Sequence, residues 1–214
     1  MSTIRSIIVF NGGSAGDFLR TVCLEQIDNF DRYVIDKTGM VETDIEDNYF
    51  KFFCKTQQQL GYTLSIDPTR CFEIENAHSY HDWFANLTPN LFYIHYENDK
   101  TSTVVKEFIH KRMKPEVENW IKEIMPPHIP AKLVSKINSN NIEDVLSIFW
   151  TKNINRWQAN SMLTPIPLQD LFDLSMLTKW VERLCDQPLT DPDRLADTYQ
   201  AWLSQNSRLA NALI

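Results

Sequence analysis

A chain of 214 residues, of which 43% are hydrophobic, is long enough and apolar enough to bury one large core. Its net charge is −7, from 21 Lys and Arg residues against 28 Asp and Glu residues. This negative excess argues against a nucleic-acid partner and against an anionic membrane surface, so an anionic ligand would need a local basic pocket.

The first predicted element is a short, buried, β-branched strand over residues 4–10. The next six residues, 11–16, include three of the five glycines of the chain, and an amphipathic helix is predicted directly afterwards, over residues 17–29. This order brings backbone N–H groups close to a phosphate, because glycine reaches positive φ and a helix N-terminus is the positive end of its dipole. The candidate ligand-binding residues here are Gly12, Gly13, Ser14, Ala15, Gly16, Asp17 and Phe18.

The glycine-rich turn lacks the side chains of a nucleotide-hydrolysing loop. Such a loop has the form GxxxxGK[ST], whereas Asp17 and Phe18 stand where its lysine and hydroxyl would be. This difference argues against an ATPase or GTPase that uses this chemistry. A ligand-free explanation also exists, because Ser14-x-x-Asp17 matches a helix capping box. A capping box does not account for Gly12 and Gly13, so ligand binding is the preferred interpretation.

Strands and helices alternate through the following hundred residues. The predicted elements are a strand over 32–37, a helix over 47–60, strands over 62–66 and 70–75, a short helix over 79–87, a strand over 91–96 and a helix over 104–113. This alternation implies a parallel sheet with right-handed crossovers.

The second half of the chain changes character after the proline-rich breaker at residues 126–130. It is predicted to be mostly helical, with one last strand over residues 162–167 and a helix that opens at Leu168. We therefore predict a single α/β domain. Residues 1–125 would form its core, and residues 126–214 would form a largely helical part packed on that core.

Four stretches of the chain carry a resemblance to a known family: residues 7–19 (IIVFNGGSAGDFL), 70–80 (RCFEIENAHSY), 90–114 and 166–172 (IPLQDLF). In this order they resemble the sulfotransferase-like branch of the P-loop fold. The resemblance implies a three-layer parallel sheet. It also implies transfer of a sulfuryl group from 3′-phosphoadenosine-5′-phosphosulfate to a hydroxyl or amine of a small molecule or glycan, with no metal ion.

The resemblance also implies roles for particular residues. The first stretch is similar to the loop that binds the 5′-phosphosulfate, and Ser102 and Thr103 are the remaining candidates for contact with the 3′-phosphate. Three features depart from the family. Its usual loop lysine is absent, and His95, Tyr96 and Glu97 occupy the region where an arginine belongs. The sequence also lacks the family's basic C-terminal loop with glycine, which closes over the nucleotide.

Sulfuryl transfer requires a base for the acceptor hydroxyl, and two histidines are candidates. His78 follows a predicted strand at the expected carboxyl edge of the sheet, where ligands of open α/β sheets gather. The alternative for His78 is a loop histidine that is hydrogen-bonded to the backbone. His81 would substitute for it or face solvent. Arg20 could reach back from the first turn of its helix to a bound anion, but it lies off the apolar face and is predicted to face solvent.

Two other functions stay open at this point. The chain could be a P-loop-like binding module that has lost catalysis, which the missing lysine and arginine favour. It could instead be a Rossmann-type enzyme for another nucleotide or S-adenosylmethionine, with Asp36 as the acid that ends a second strand.

The cysteines and the N-terminus give the expected compartment. The four cysteines are scattered and show no CxxC or zinc-type spacing, and Cys23 and Cys54 fall in apolar helical patterns that predict burial. The N-terminal apolar run is too short for a secretory signal, and no stretch approaches the length of a membrane span. The expected location is therefore the cytoplasm.

Overall fold

The computed structural model describes residues 4–10, 15–27, 50–51, 53–54, 65–67, 70–78, 80–95 and 161–207. The strand predicted over 32–37, the helix predicted over 104–113 and the predicted helical stretch over 126–160 lie outside these residues, as does Asp36. Of the strand predicted over 62–66, residues 65 and 66 are described and are not in a strand.

The described strands form one four-stranded sheet in which every pair is parallel. The strands are β1 (Ser6–Val9), β2 (Ile74–Ala77), β3 (Leu91–His95) and β4 (Thr164–Pro167). Their order across the sheet is β2-β1-β3-β4. The prediction of an α/β fold with a parallel sheet is therefore confirmed. Because β1 has β2 on one side and β3 on the other, the direction of winding changes at β1.

Three of the four strands lie within their predicted ranges, and β2 does not. It begins at Ile74, whereas the sequence pattern predicted a strand over 70–75. The backbone N–H of Phe72 donates to the Glu75 carboxylate at 2.7 Å, which folds the chain into a turn just before the strand. Strand pairing with β1 then runs from Ile74 to Ala77.

Both faces of the sheet are covered by apolar side chains. Ile8 of β1 belongs to a cluster with α1 (Gly16–Leu24), α2 (Leu174–Cys185) and α3 (Pro192–Gln205). Its neighbours Ile7 and Val9 belong to a second cluster on the opposite face. The second cluster also contains Phe50, Cys54, Phe84, Leu91 and Tyr93.

Helices α2 and α3 each begin at an aspartate that caps the first turn. Asp173 accepts a hydrogen bond from the Met176 N–H at the start of α2, and Asp191 accepts one from the Arg194 N–H at the start of α3. Two short 3₁₀ helices, Asp82–Asn86 and Leu168–Phe172, follow β2 and β4. Among the described helices, none combines the length and apolar character needed to cross a membrane.

The C-terminal helices are bonded directly to the first strand and the first helix. Ser6 Oγ donates to the Leu184 carbonyl oxygen at 2.7 Å, which joins β1 to α2. The fully buried Gln26 accepts at Oε1 from the backbone N–H groups of Thr190 and Asp191. Phe18 stacks on Trp202 with ring centroids 4.0 Å apart. These contacts fix the direction in which α1 leaves the sheet, and thereby the position of its N-terminus.

Candidate functional site

The candidate site lies where β1 and β2 end and α1 begins. The chain leaves β1 at Phe10 and enters α1 at Gly16, and His78 directly follows β2. Because the strands are parallel, these ends share one edge of the sheet. Of the predicted site residues, five lie outside the described part of the chain: Gly12, Gly13, Ser14, Ser102 and Thr103.

The N-terminus of α1 has no capping side chain from its N-cap residue. That residue is Ala15, with a left-handed φ of 60°, and α1 starts at Gly16. The N-cap is thus one residue later than the capping-box alternative placed it, and Ser14 itself lies outside the described residues. The Asp17 carboxylate is hydrogen-bonded to side chains of other elements. The first turn of α1 thus keeps the positive end of the helix dipole at this edge of the sheet.

Gly16 is required by close packing against the end of β1. A Cβ at this position would lie 2.1 Å from Cγ of the Phe10 ring. No real Cβ approaches another heavy atom so closely, so glycine lets the helix start directly against the aromatic ring. Phe10 itself is 1% exposed.

Asp17 is the centre of a small polar cluster. Its Oδ1 accepts from Lys51 Nζ at 2.8 Å and from Asn76 Nδ2 at 3.0 Å. Burial by itself would raise the pKa of Asp17, but the Lys51 ammonium, the nearby His78 and the Asn76 hydrogen bond outweigh it and hold the pKa below its ordinary value. Asp17 is therefore an ionised carboxylate at neutral pH.

Lys51 and Asn76 are the functional candidates that the sequence interpretation missed. The Lys51 ammonium lies 5.1 Å from the centroid of the Phe10 ring, and its side chain is 20% exposed. It belongs to the segment predicted as a helix over 47–60, where Phe50, Lys51, Phe53 and Cys54 are helical. Asn76 lies one residue beyond the strand predicted over 70–75, so its position inside a buried strand was not visible in the sequence pattern.

His78 lies beside this cluster and is exposed. Its Nδ1 is 3.4 Å from the Phe10 carbonyl oxygen, and the two rings have centroids 4.5 Å apart. In the tautomer with hydrogen on Nδ1, the histidine donates to that carbonyl, as the backbone-bonded alternative describes. Nε2 is then the nitrogen with a lone pair, which is the form that a base requires.

His81 and Phe18 occupy apolar surroundings. The His81 ring centroid is 5.7 Å from that of Trp83 and 5.4 Å from that of Phe84, at the start of the 3₁₀ helix after β2. Phe18 is 1% exposed and packs on Trp202. Its side chain is part of the core, so a ligand at the head of α1 would meet only its backbone.

The prediction that Arg20 faces solvent is wrong, since this residue is 4% exposed. Its Nε donates to the Ile74 carbonyl oxygen at 3.2 Å, and its Nη2 lies 3.6 Å from Glu75 Oε2. Burial raises the pKa of Glu75 to about 7, against the opposing effect of Arg20. The guanidinium is therefore committed to β2 and does not reach back toward the head of α1.

The four cysteines are free and buried, as predicted for Cys23 and Cys54. Burial raises the pKa of the thiols of Cys23, Cys54 and Cys71, so these groups are poor nucleophiles at neutral pH. In the described ranges, no group of three His, Cys, Asp or Glu side chains is placed to hold a metal ion.

The head of α1 thus combines an ammonium, an ionised carboxylate, an imidazole and the positive end of a helix dipole. Such a set can attract an oxyanion and move a proton. No family model, curated protein or solved structure matches the chain. The function has to be argued from this geometry alone.

Proposed function

We propose that the chain is a sulfotransferase-like protein that takes 3′-phosphoadenosine-5′-phosphosulfate at the head of α1. The observation that carries this proposal is the position of Lys51. Its ammonium lies 2.8 Å from Asp17 in the first turn of α1, so a lysine from another segment supplies the cation that the glycine-rich turn lacks. A cation beside a helix N-terminus is a favourable arrangement for a phosphate or phosphosulfate group.

The remaining residues of the site fit the chemistry of sulfuryl transfer. In the proposed reaction, the acceptor oxygen forms a bond to sulfur, the bond from sulfur to the phosphate oxygen breaks, and the acceptor proton passes to His78. Lys51 and the N–H groups of the first turn of α1 would stabilise the negative charge left on the phosphate. A histidine whose Nδ1 faces the Phe10 carbonyl oxygen would present Nε2 to the acceptor.

The proposal includes the finer features of the fold. Apolar clusters on both faces of the parallel sheet agree with a three-layer P-loop-like arrangement. The acceptor would be a hydroxyl or amine of a small molecule or glycan, and the protein would act in the cytoplasm.

The second candidate is a P-loop-like module that binds a ligand without catalysis. A specific observation favours it: Lys51 is already paired with the ionised Asp17, which cancels the positive charge that a phosphosulfate would meet. Both candidate functions place the ligand at the head of α1, and only the first includes catalytic turnover. Incubating the protein with the labelled donor and a panel of hydroxyl and amine acceptors would separate them, because only the enzyme forms a sulfated product.

The binding step is tested with adenosine 3′,5′-bisphosphate, the nucleotide product of sulfuryl transfer, by isothermal titration calorimetry. We expect the wild-type protein to bind it, and Lys51→Ala to weaken binding by about tenfold to a hundredfold, the range for loss of one charge-assisted hydrogen bond. Lys179→Ala is the matched control, since Lys179 is an exposed lysine on α2.

No heat and no thermal shift for folded wild-type protein at millimolar nucleotide would reject nucleotide binding. Equal affinity of the K51A and K179A variants would mean that the nucleotide binds elsewhere. A selective loss in K51A would support the head of α1 as its site.

A further inference from the structure

The Asp17 carboxylate stands where an incoming oxyanion would place its own charge. We propose that Asp17 determines the affinity and charge preference of this site, as an internal anion that a ligand must displace from Lys51 and Asn76. The inference rests on the proposed function, because it concerns the same site. It assigns to Asp17 an effect opposite to that of a ligand-binding residue, since removing its charge should strengthen binding.

The first observation is that one oxygen atom uses both neighbouring donors. Lys51 Nζ and Asn76 Nδ2 both donate to Asp17 Oδ1, at 2.8 and 3.0 Å. Donors to an anion at the head of a helix are the groups that would hold a sulfate or phosphate oxygen. In the described structure they hold a carboxylate oxygen of the protein itself. The Asp17 side chain is 42% exposed, so solvent reaches the carboxylate.

The second observation is that the amide of Asn76 is only half satisfied. Asn76 is 1% exposed, and its buried Oδ1 has no hydrogen-bond partner among the described residues. Buried amide oxygens usually have a donor, so an orphaned one beside the head of α1 is unusual. Its own N–H is directed at Asp17, which places the amide in the cluster. Because an amide oxygen only accepts, an N–H or O–H donor of a ligand would satisfy it, and the oxyanion itself would not.

The charged side chains around the cluster attract an oxyanion only weakly, because they are paired with one another. Lys51 is paired with Asp17, and Arg20 is paired with Glu75 on the adjoining strand. These two pairs sum to zero when both carboxylates are ionised. A doubly charged oxyanion would then be attracted by the helix terminus, by the hydrogen bonds and by any charge on His78, while Asp17 repels it.

Lowering the pH to the ordinary pKa of an aspartate leaves Asp17 largely ionised, so the repulsion persists. The Lys51 ammonium and its neighbours hold the pKa of Asp17 below the ordinary aspartate value, against the effect of burial. Substitution is therefore the cleaner experiment. Asp17→Asn keeps one oxygen that can accept from Lys51 and Asn76, removes the negative charge, and puts an NH2 group in place of the second oxygen.

The test compares wild-type protein, Asp17→Asn and Asp197→Asn by calorimetry with inorganic sulfate and with adenosine 3′,5′-bisphosphate. Asp197 is an exposed aspartate of α3, so the D197N variant controls for the loss of one negative charge anywhere on the protein. We expect D17N to bind both anions about tenfold more tightly than wild type, and D197N to match wild type. In the double variant D17N/K51A, the gain in affinity for both anions should be abolished.

Each outcome has one meaning. Weaker or unchanged binding by folded D17N would overturn the inference and leave the proposed function standing, with Asp17 as a residue that positions Lys51. Binding by D17N with none by wild type would support the inference and count against the proposed function of the natural chain. If neither protein binds either anion, both proposals fail. Circular dichroism and thermal unfolding establish that each variant is folded.

Discussion

Gly16 and Phe10 define how closely α1 approaches the end of β1. The sequence interpretation assigned Gly16 to a phosphate-binding turn, and the structure gives it a packing reason as well, because the Phe10 ring fills the space where a Cβ would be. The left-handed conformation that favours glycine falls on Ala15, with φ at 60°. The glycine at position 16 indicated a constrained position, but the sequence did not reveal that the constraint is the Phe10 ring.

Substitution of Gly16 by alanine tests this packing. We expect G16A to lower the free energy of unfolding by about 1–3 kcal/mol, because the added methyl group must displace the Phe10 ring or the first turn of α1. Urea denaturation at pH 7 measures the change. The control is Ala15→Gly, which relieves the left-handed strain but adds freedom to the unfolded chain, for a net effect within about 1 kcal/mol. A G16A variant as stable as wild type would show that Phe10 moves aside freely.

Histidine and arginine residues show the limit of prediction from single positions. The sequence placed His78 after a strand at the sheet edge, and the structure has it there, beside Asp17 and Phe10. Its role as a base stays a prediction. Arg20 was predicted to face solvent because it lies off the apolar stripe, yet it is buried against β2 by its pairing with Glu75. Helical periodicity describes one face of a helix and does not reveal a charged partner on a neighbouring strand.

At the level of elements, α1 connects the candidate site to the C-terminal helices. Its first turn carries Asp17, and its C-cap residue is Glu25, whose side chain is 1% exposed. Thr198 Oγ1 donates to Glu25 Oε1 at 2.9 Å, and Arg194 Nε lies 3.8 Å from the same oxygen. The second oxygen, Oε2, has no hydrogen-bond partner within the described part of the chain. Burial therefore raises the pKa of Glu25 to about 6, against the effects of Thr198 and Arg194.

This contact between α1 and α3 makes stability depend on pH. The pKa of Glu25 is about 6 in the folded protein and near its ordinary value of 4.5 when unfolded. Its contribution to stability is fully present below pH 4.5 and is lost as pH rises through 6, by about 2 kcal/mol. We expect Glu25→Gln to gain stability relative to wild type by about that amount between pH 4.5 and 7.5.

Urea unfolding at a series of pH values measures this difference, with D197N as the control for a change at an exposed carboxylate. A constant difference in the free energy of unfolding between E25Q and wild type across that range would show that Glu25 titrates normally in the folded protein.

At the scale of the whole molecule, the sheet is built from both halves of the chain. Strand β4 pairs with β3, and α2 and α3 pack with α1 against one face. Leu184 of α2 is fully buried in that cluster, and its carbonyl oxygen accepts from Ser6 of β1. These contacts predict that the sheet and the C-terminal helices unfold together.

Leu184→Ala tests this coupling. We expect it to cost roughly 2–5 kcal/mol, the range for truncating a fully buried leucine, and to shift one common transition. Tryptophan fluorescence and far-ultraviolet circular dichroism in urea should report the same midpoint. Met162→Ala is the control, because Met162 is 51% exposed and its loss should change stability by less than about 0.5 kcal/mol. Two separated transitions in the L184A variant would contradict a shared core.

The sequence by itself determined the kinds of element and their order through the described part of the chain. Period-two and helical patterns are local, so they gave β1, α1, β3, β4 and α2, and the alternation gave a parallel α/β sheet. Only the tertiary structure decided which polar side chains meet. Lys51 reaches Asp17 from 34 residues away, and Arg20 bonds to the Ile74 carbonyl across 54 residues. Such long-range contacts depend on where each crossover connection places the following segment on the sheet, and no local sequence pattern encodes that position.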